Sequence, residues 1–143
     1  MEGFNCRLQS IFMSLIRNSK LVRQTIDFTG VENGKIHPSD VDFVFEFDNK
    51  ILILGEVKRR YNRIPKGQEM LLTRIADKWG EAGLVLKVEH EHNDENTDIP
   101  LKGCFVTRRY LNGEWKNFDF GNEPFILFLN KIGVHYENKK CKF

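Results

Sequence analysis

The run Ile51-Leu52-Ile53-Leu54-Gly55-Glu56-Val57-Lys58 constrains this chain more than any other stretch. Side chains alternate faces along a strand, so Ile51, Ile53 and Val57 cover one face while Leu52 and Leu54 line the other. Apolar cover on both faces marks a central strand and excludes an exposed edge. Glu56 and Lys58 stand together on one face at its end, where both are partly desolvated. An uncompensated charge there costs several kcal/mol or the equivalent in pKa, so the pair requires a counter-charge, a metal or each other.

Upstream, Val41, Phe43, Phe45 and Phe47 alternate with Asp42, Val44 and Glu46, and Asp48-Asn49-Lys50 forms a turn. A hairpin of this length lays Asp42 near Glu56 and Lys58. Asp40 shares the face of Asp42 and reads as a second ligand or, preferably, a turn carboxylate. Glu46 shares it too, but lies about 13 Å further along a strand that rises about 3.3 Å per residue, which leaves it an outer-shell role. Carboxylates in this number suit Mg²⁺ or Mn²⁺, which take a couple of carboxylates, a carbonyl and several waters. A lysine beside them can orient or help deprotonate an attacking water and neutralise a phosphate oxygen.

Asp42, thirteen intervening residues and then Glu56-Val57-Lys58, on two successive strands, resemble the PD-(D/E)XK nuclease superfamily. Pro38-Ser39-Asp40 looks like a displaced first half of that motif. Downstream, Pro65-Lys66-Gly67 leads into a helix whose Leu72, Ile75, Ala76 and Trp79 form one apolar stripe, with Gln68 at its head. Leu84 to Val88 then reads as another central strand, completing a crossover unit. A glutamine on the helix after the lysine strand resembles many members of the superfamily, and the string Pro65-x-Gly67-Gln68 looks like its small phage and bacterial branch. The resemblance implies an α/β fold with a restriction-endonuclease-like core: a central mixed β-sheet flanked by helices, in the order α-β-β-β-α-β plus a C-terminal hairpin and helix. It implies that Asp42, Glu56 and the Val57 carbonyl hold Mg²⁺ or Mn²⁺, that Lys58 positions the attacking water, and that Gln68 orients Lys58 or the water. The activity implied is a metal-dependent endonuclease on DNA rather than RNA. The alternative is a catalytically inactive nuclease-fold protein that binds nucleic acid or regulates.

Each of these residues also has a plain structural role open to it. Glu56 and Lys58 could form an ion pair, Asp42 could cap a turn, and Gln68 could satisfy backbone donors at a helix start. On the apolar stripe a leucine in place of Gln68 is expected to suit the core, within about 1 kcal/mol of the parent stability.

A length of 143 residues suits one domain burying about two thirds of its unfolded surface. A net charge of +2 does not by itself announce a nucleic-acid binder. The basic residues are clustered, however: Arg59, Arg60, Arg63 and Lys66 follow the motif, where they would meet phosphates, and Arg108-Arg109 lie on a later strand. Lys139, Lys140 and Lys142 read as a solvated tail. Cys6, Cys104 and Cys141 lack metal-ligand spacing and read as free thiols of a reducing compartment. No signal peptide and no membrane span is apparent, so the expectation is a cytoplasmic chain, and the resemblance implies one encoded by a phage in a bacterial host.

The remaining segments read as scaffold. Phe4, Leu8, Ile11, Phe12 and Leu15 keep a helical period; Gln24 to Thr29 reads as a first strand and Gly30 to Gly34 as a turn. Asn93 to Pro100 is a loop. Residues from Gly103 to Tyr110 and from Trp115 to Phe118 form a hairpin around Asn112-Gly113. Asn122 caps a last helix carrying Phe125, Phe128, Leu129 and Ile132, stopped by Gly133. His90 and His92 are expected to be exposed loop histidines. Their rival roles are a Zn²⁺ site shared with a residue such as His37, or, for His90, an approach to the substrate phosphate.

Overall fold

The structure, a computed structural model, describes residues 26–143. The chain divides into two units, Met1–Pro38 and Ser39–Phe143. In the first, an isolated bridge between Asn33 and Ile36 closes a tight turn. The strand expected from Gln24 to Thr29 is not formed by its described part, residues 26–29. Asp27 Oδ1 accepts both the amide and the hydroxyl of Thr29, at 2.9 and 2.6 Å. A local turn of this kind takes the backbone donor that a ladder would need. The expected N-terminal helix and Cys6 lie outside the described residues.

The second unit is a five-stranded mixed sheet with a helix on each face. Its elements are β1 (Phe43–Phe47), β2 (Ile51–Arg59), α1 (Lys66–Trp79), β3 (Gly83–His90), a 3₁₀ turn (Leu101–Gly103), β4 (Phe105–Leu111), β5 (Glu114–Asn117) and α2 (Phe125–His135). Strand order follows chain order, with β2 and β3 parallel and every other pair antiparallel. The parallel pair exists because α1 intervenes, a crossover no tight turn could replace. Two strands rather than three precede this crossover among the described residues.

Two-sided burial of β2 is what its sequence dictates. Ile51 and Ile53 join Leu84, Leu86, Val88 and Val106 beneath Phe125, Phe128, Leu129 and Ile132 of α2. Leu52 and Leu54 join Val85 and Tyr110 beneath Leu72 and Ala76 of α1. Each such side chain, fully buried, contributes roughly 1.5–3 kcal/mol, so the two faces hold the sheet between them. The inner stripe of α1 is narrower than expected: Ile75 is exposed, and Gln68, Leu72, Ala76 and Trp79 carry the contact. α1 also sits close. A Cβ on Gly83 would lie 2.3 Å from the carbonyl oxygen of Ala76, so only glycine permits this approach.

Both hairpins turn on positive-φ pairs, Asp48 with Asn49 and Asn112 with Gly113, the geometry of a type I′ turn. At the C-terminus three expectations are corrected. Asn122 does not cap α2: its amide donates to the Asp119 carbonyl in a turn, and Pro124 holds the cap position with no side-chain cap. Gly133 lies inside the helix rather than ending it. It is glycine because a Cβ would meet the Cys141 carbonyl oxygen at 2.0 Å. The tail is docked rather than loose, although Lys139, Lys140 and Lys142 stay exposed as expected. Cys141 is buried, Lys140 pairs with Asp48 at 2.8 Å, and Phe143 exchanges two hydrogen bonds with the Asn130 side chain. Cys104 and Cys141 are free and buried. Among the described residues no helix is long and apolar enough to cross a membrane.

Candidate functional site

The β1–β2 register builds the site. Phe43 pairs with Gly55, so Asp42, one residue before β1, comes opposite Glu56, and Asp42 Oδ2 accepts the Val57 amide at 2.7 Å. The N–H and C=O of one strand residue point to the same edge of the strand. The Leu52 and Arg60 amides both bond towards β3, to the Ala82 and His90 carbonyls. Val57, of the opposite parity, therefore directs its carbonyl to the Asp42 side, past the first residue of β1.

Glu56 is 1% exposed and lies under the first turn of α1. Gln68 Nε2 donates to Glu56 Oε1 at 2.8 Å and to the Asp40 carbonyl at 3.3 Å. Burial pushes the Glu56 carboxyl up to about 7, helped by the charge of Asp42, a hydrogen bond shared with Asp42 and the charge of Asp40, while Lys58 pulls it partway back. Glu56 and Asp42 thus face each other as like charges, and a proton between them relieves the repulsion. Lys58 is half-buried on the same face, two residues along. No ion pair joins it to Glu56, and among the described residues no carboxylate lies within ion-pair distance of it.

Asp42, Glu56, Val57, Lys58 and Gln68 therefore converge, though Gln68 meets Glu56 rather than Lys58. Asp40 contributes its carbonyl to Gln68 and its charge to Glu56. Glu46 does not belong: its carboxylate accepts the Asn49 amide, capping the turn at the far end of β1. The donor set fits a hard divalent cation. It offers two oxygen ligands that repel when empty and a carbonyl on the same side, with no sulfur or nitrogen. Among the described residues no three His, Cys, Asp or Glu side chains gather as metal ligands, so the carbonyl would have to take part.

The basic residues separate into two kinds. Arg63 and Lys66 are exposed and have no carboxylate partner among the described residues. Arg59 is exposed and donates to the Asn93 side chain. Arg60 pairs with Glu91 at 2.7 Å. Arg108 is held by Glu69 at 3.4 Å and lies over the Trp115 ring, 4.1 Å from its centroid. His90 is buried rather than exposed, its Nδ1 accepts the His92 amide at 3.1 Å, and burial holds its pKa below the usual histidine value. It continues the row Leu84, Leu86 and Val88 on the face opposite Glu56, which removes it from the site although β3 does lie beside β2.

Sequence reasoning missed Lys87 and Glu89. Both are 7% exposed, and they form an ion pair at 3.6 Å. The parallel register sets Lys87 beside Glu56 and Glu89 beside Lys58. The signal was available: charged residues at i and i+2 in a run otherwise apolar on both faces, the same anomaly that singled out Glu56 and Lys58. Comparison of the chain with protein families, with curated proteins and with solved structures gives no match.

Proposed function

We propose that this protein is a Mg²⁺- or Mn²⁺-dependent nuclease that hydrolyses phosphodiester bonds of DNA, with a core of restriction-endonuclease type. The observation that carries the reading is Glu56: a carboxylate buried at a strand end, faced by Asp42, held by Gln68 and not ion-paired by the lysine two residues away. Asp42, Glu56 and the Val57 carbonyl would hold the cation. When bound, it would supply charge neutralisation at the phosphate and a more acidic water.

The remaining roles belong to the chain itself. Gln68 fixes the Glu56 carboxylate, so its geometry does not depend on solvent. Lys58 lies on the same face with its ammonium uncommitted, placed to orient a water and to offset charge on a phosphate oxygen. Arg59, Arg63 and Lys66 surround this end of the sheet with positive charge that can meet the flanking backbone.

A second reading has its own observation. Burial and Asp42 push the Glu56 carboxyl up to about 7 and Gln68 already holds it, an arrangement that would also suit a nuclease-fold protein that binds nucleic acid without cutting it. Digestion of single-stranded, duplex and branched DNA and of RNA in Mn²⁺ separates the two. The nuclease is expected to cut in Mn²⁺ and not in EDTA, and Lys58→Ala to slow cleavage by about 10²-fold or more with the fold intact. Lys58→Ala cutting at the parent rate would remove the lysine's role. Substrates bound in EDTA yet left whole in Mn²⁺ would establish the binder.

A further inference from the structure

We infer that Tyr61, at the exit of β2, stacks an unpaired base of the bound nucleic acid, so the site takes single-stranded or frayed substrate. This rests on the nucleic-acid reading of the neighbouring site. Three observations carry it. Tyr61 is 82% exposed, a ring in water directly after the motif strand. Its backbone is left-handed, with φ of +75°, a conformation that costs a bulky residue of order 1–3 kcal/mol and persists only where the surroundings impose it. Two bonds hold it: the Asn62 amide donates to the Arg59 carbonyl at 3.0 Å, closing the turn in which Tyr61 stands third, and the Tyr61 amide donates to buried Glu89 Oε1 at 3.0 Å, whose other oxygen faces Lys87 Nζ at 3.6 Å.

The ring also has a rigid back. The Arg60 guanidinium lies 4.8 Å from the Tyr61 centroid and 4.5 Å from that of Phe120, layered against both rings. Glu91 accepts from that guanidinium at 2.7 Å, which orients its plane between the two rings. Behind it Phe120 packs on Phe105 at 4.9 Å. Tyr61 thus presents a supported aromatic surface to solvent, three residues beyond Lys58 and so within about 10 Å of it along the chain. Exposed Arg59 and Arg63 flank it in sequence. An aromatic face with cations on either side is the combination that binds single strands, since every base offers a π-face and every linkage a charge. A duplex keeps its bases stacked on one another and offers Tyr61 none.

The test is fluorescence anisotropy of the full chain in EDTA, with labelled single-stranded DNA, single-stranded RNA, duplex DNA and an abasic single strand. Tyr61→Asn removes the ring at a position whose backbone asparagine tolerates, and Tyr61→Phe keeps the ring. Melting curves confirm that both fold. The expected result is that Tyr61→Asn weakens single-strand binding by about 5- to 150-fold, that Tyr61→Phe binds like the parent, and that the abasic strand does not distinguish the variants. The DNA and RNA arms show which sugar is preferred. Equal affinity of Tyr61→Asn and the parent for single strands, or an equal loss on the abasic strand, overturns the inference. Because binding is read without metal, the two failures are separable. A chain that cuts DNA but is indifferent to Tyr61 retains the nuclease and loses the stacking residue, and one that stacks bases yet never cuts does the reverse.

Discussion

Glu56 holds its proton to about pH 7 in the folded chain against an ordinary value of 4.5. Between those values the folded state binds more protons than the unfolded one. Its contribution to stability is therefore fully present below about pH 4.5 and lost as pH rises through about 7. A displacement of that size is worth about 3 kcal/mol. In EDTA the denaturant midpoint is expected to fall across this window, and Glu56→Gln to flatten the fall; a profile equally steep in Glu56→Gln would show that another group titrates. Gln68→Leu belongs in the same titration. The geometry corrects the expectation that leucine suits the stripe, because Gln68 donates to a carboxylate oxygen that solvent does not reach. Its loss is expected to cost about 1–3 kcal/mol at pH 8, where Glu56 is ionised, and less at pH 5. An equal cost at both pH values would make Gln68 a packing residue. Sequence located Asp42, Glu56 and Lys58 because strand alternation is a rigid rule. It located Gln68 on the right helix face and misassigned its partner, since helical spacing fixes direction but not which of two neighbouring groups is met. Lys87 and Glu89 carry the same alternation signal, charges at i and i+2 on one face of an apolar strand.

At the scale of elements, the height of α1 above the sheet decides whether Gln68 reaches Glu56. Gly83 sets that height at the other end of the helix, where any side chain would run into the Ala76 carbonyl. Gly83→Ala is expected to destabilise by about 1–3 kcal/mol through overpacking and, by lifting α1 off the sheet, to relieve the burial that holds the Glu56 pKa up, seen as a stability profile shifted to lower pH. Unchanged stability would mean that α1 can lift without cost. The elements that sequence placed well are those with strong local chemistry: the β1–β2 hairpin, the crossover helix, β3 and the Asn112-Gly113 hairpin. The failures have two causes. Asp27 captures the Thr29 amide and Asn122 joins a turn with Asp119, so a partner two or three residues away decides both. Gly133 serves close packing against Cys141 instead of termination, and there the tertiary neighbour decides.

For the whole molecule, a cation that binds the folded chain alone must stabilise it. At 100 times its Kd, Mn²⁺ would add about 2.7 kcal/mol, which for a chain this size is a rise in Tm of roughly 5–11 °C. Glu56→Gln should lose most of the rise and EDTA should reverse it; no shift in the parent would dismiss the ligand set. The Asp48-Asn49 turn bears on how the molecule reaches this state. Tight hairpins close in about 1–10 μs, whereas β3 can pair with β2 only after the segment of α1 has crossed. Asp42 and Glu56 are thus brought together at the first assembly step, before any helix covers them. In that open hairpin water screens their charges, and the burial that chiefly raises the Glu56 pKa arrives only when α1 closes. Raising the pH from 5 to 8 in EDTA is therefore expected to raise the unfolding limb of a chevron more than it lowers the folding limb, so that a proton or a cation acts chiefly by keeping the folded chain closed.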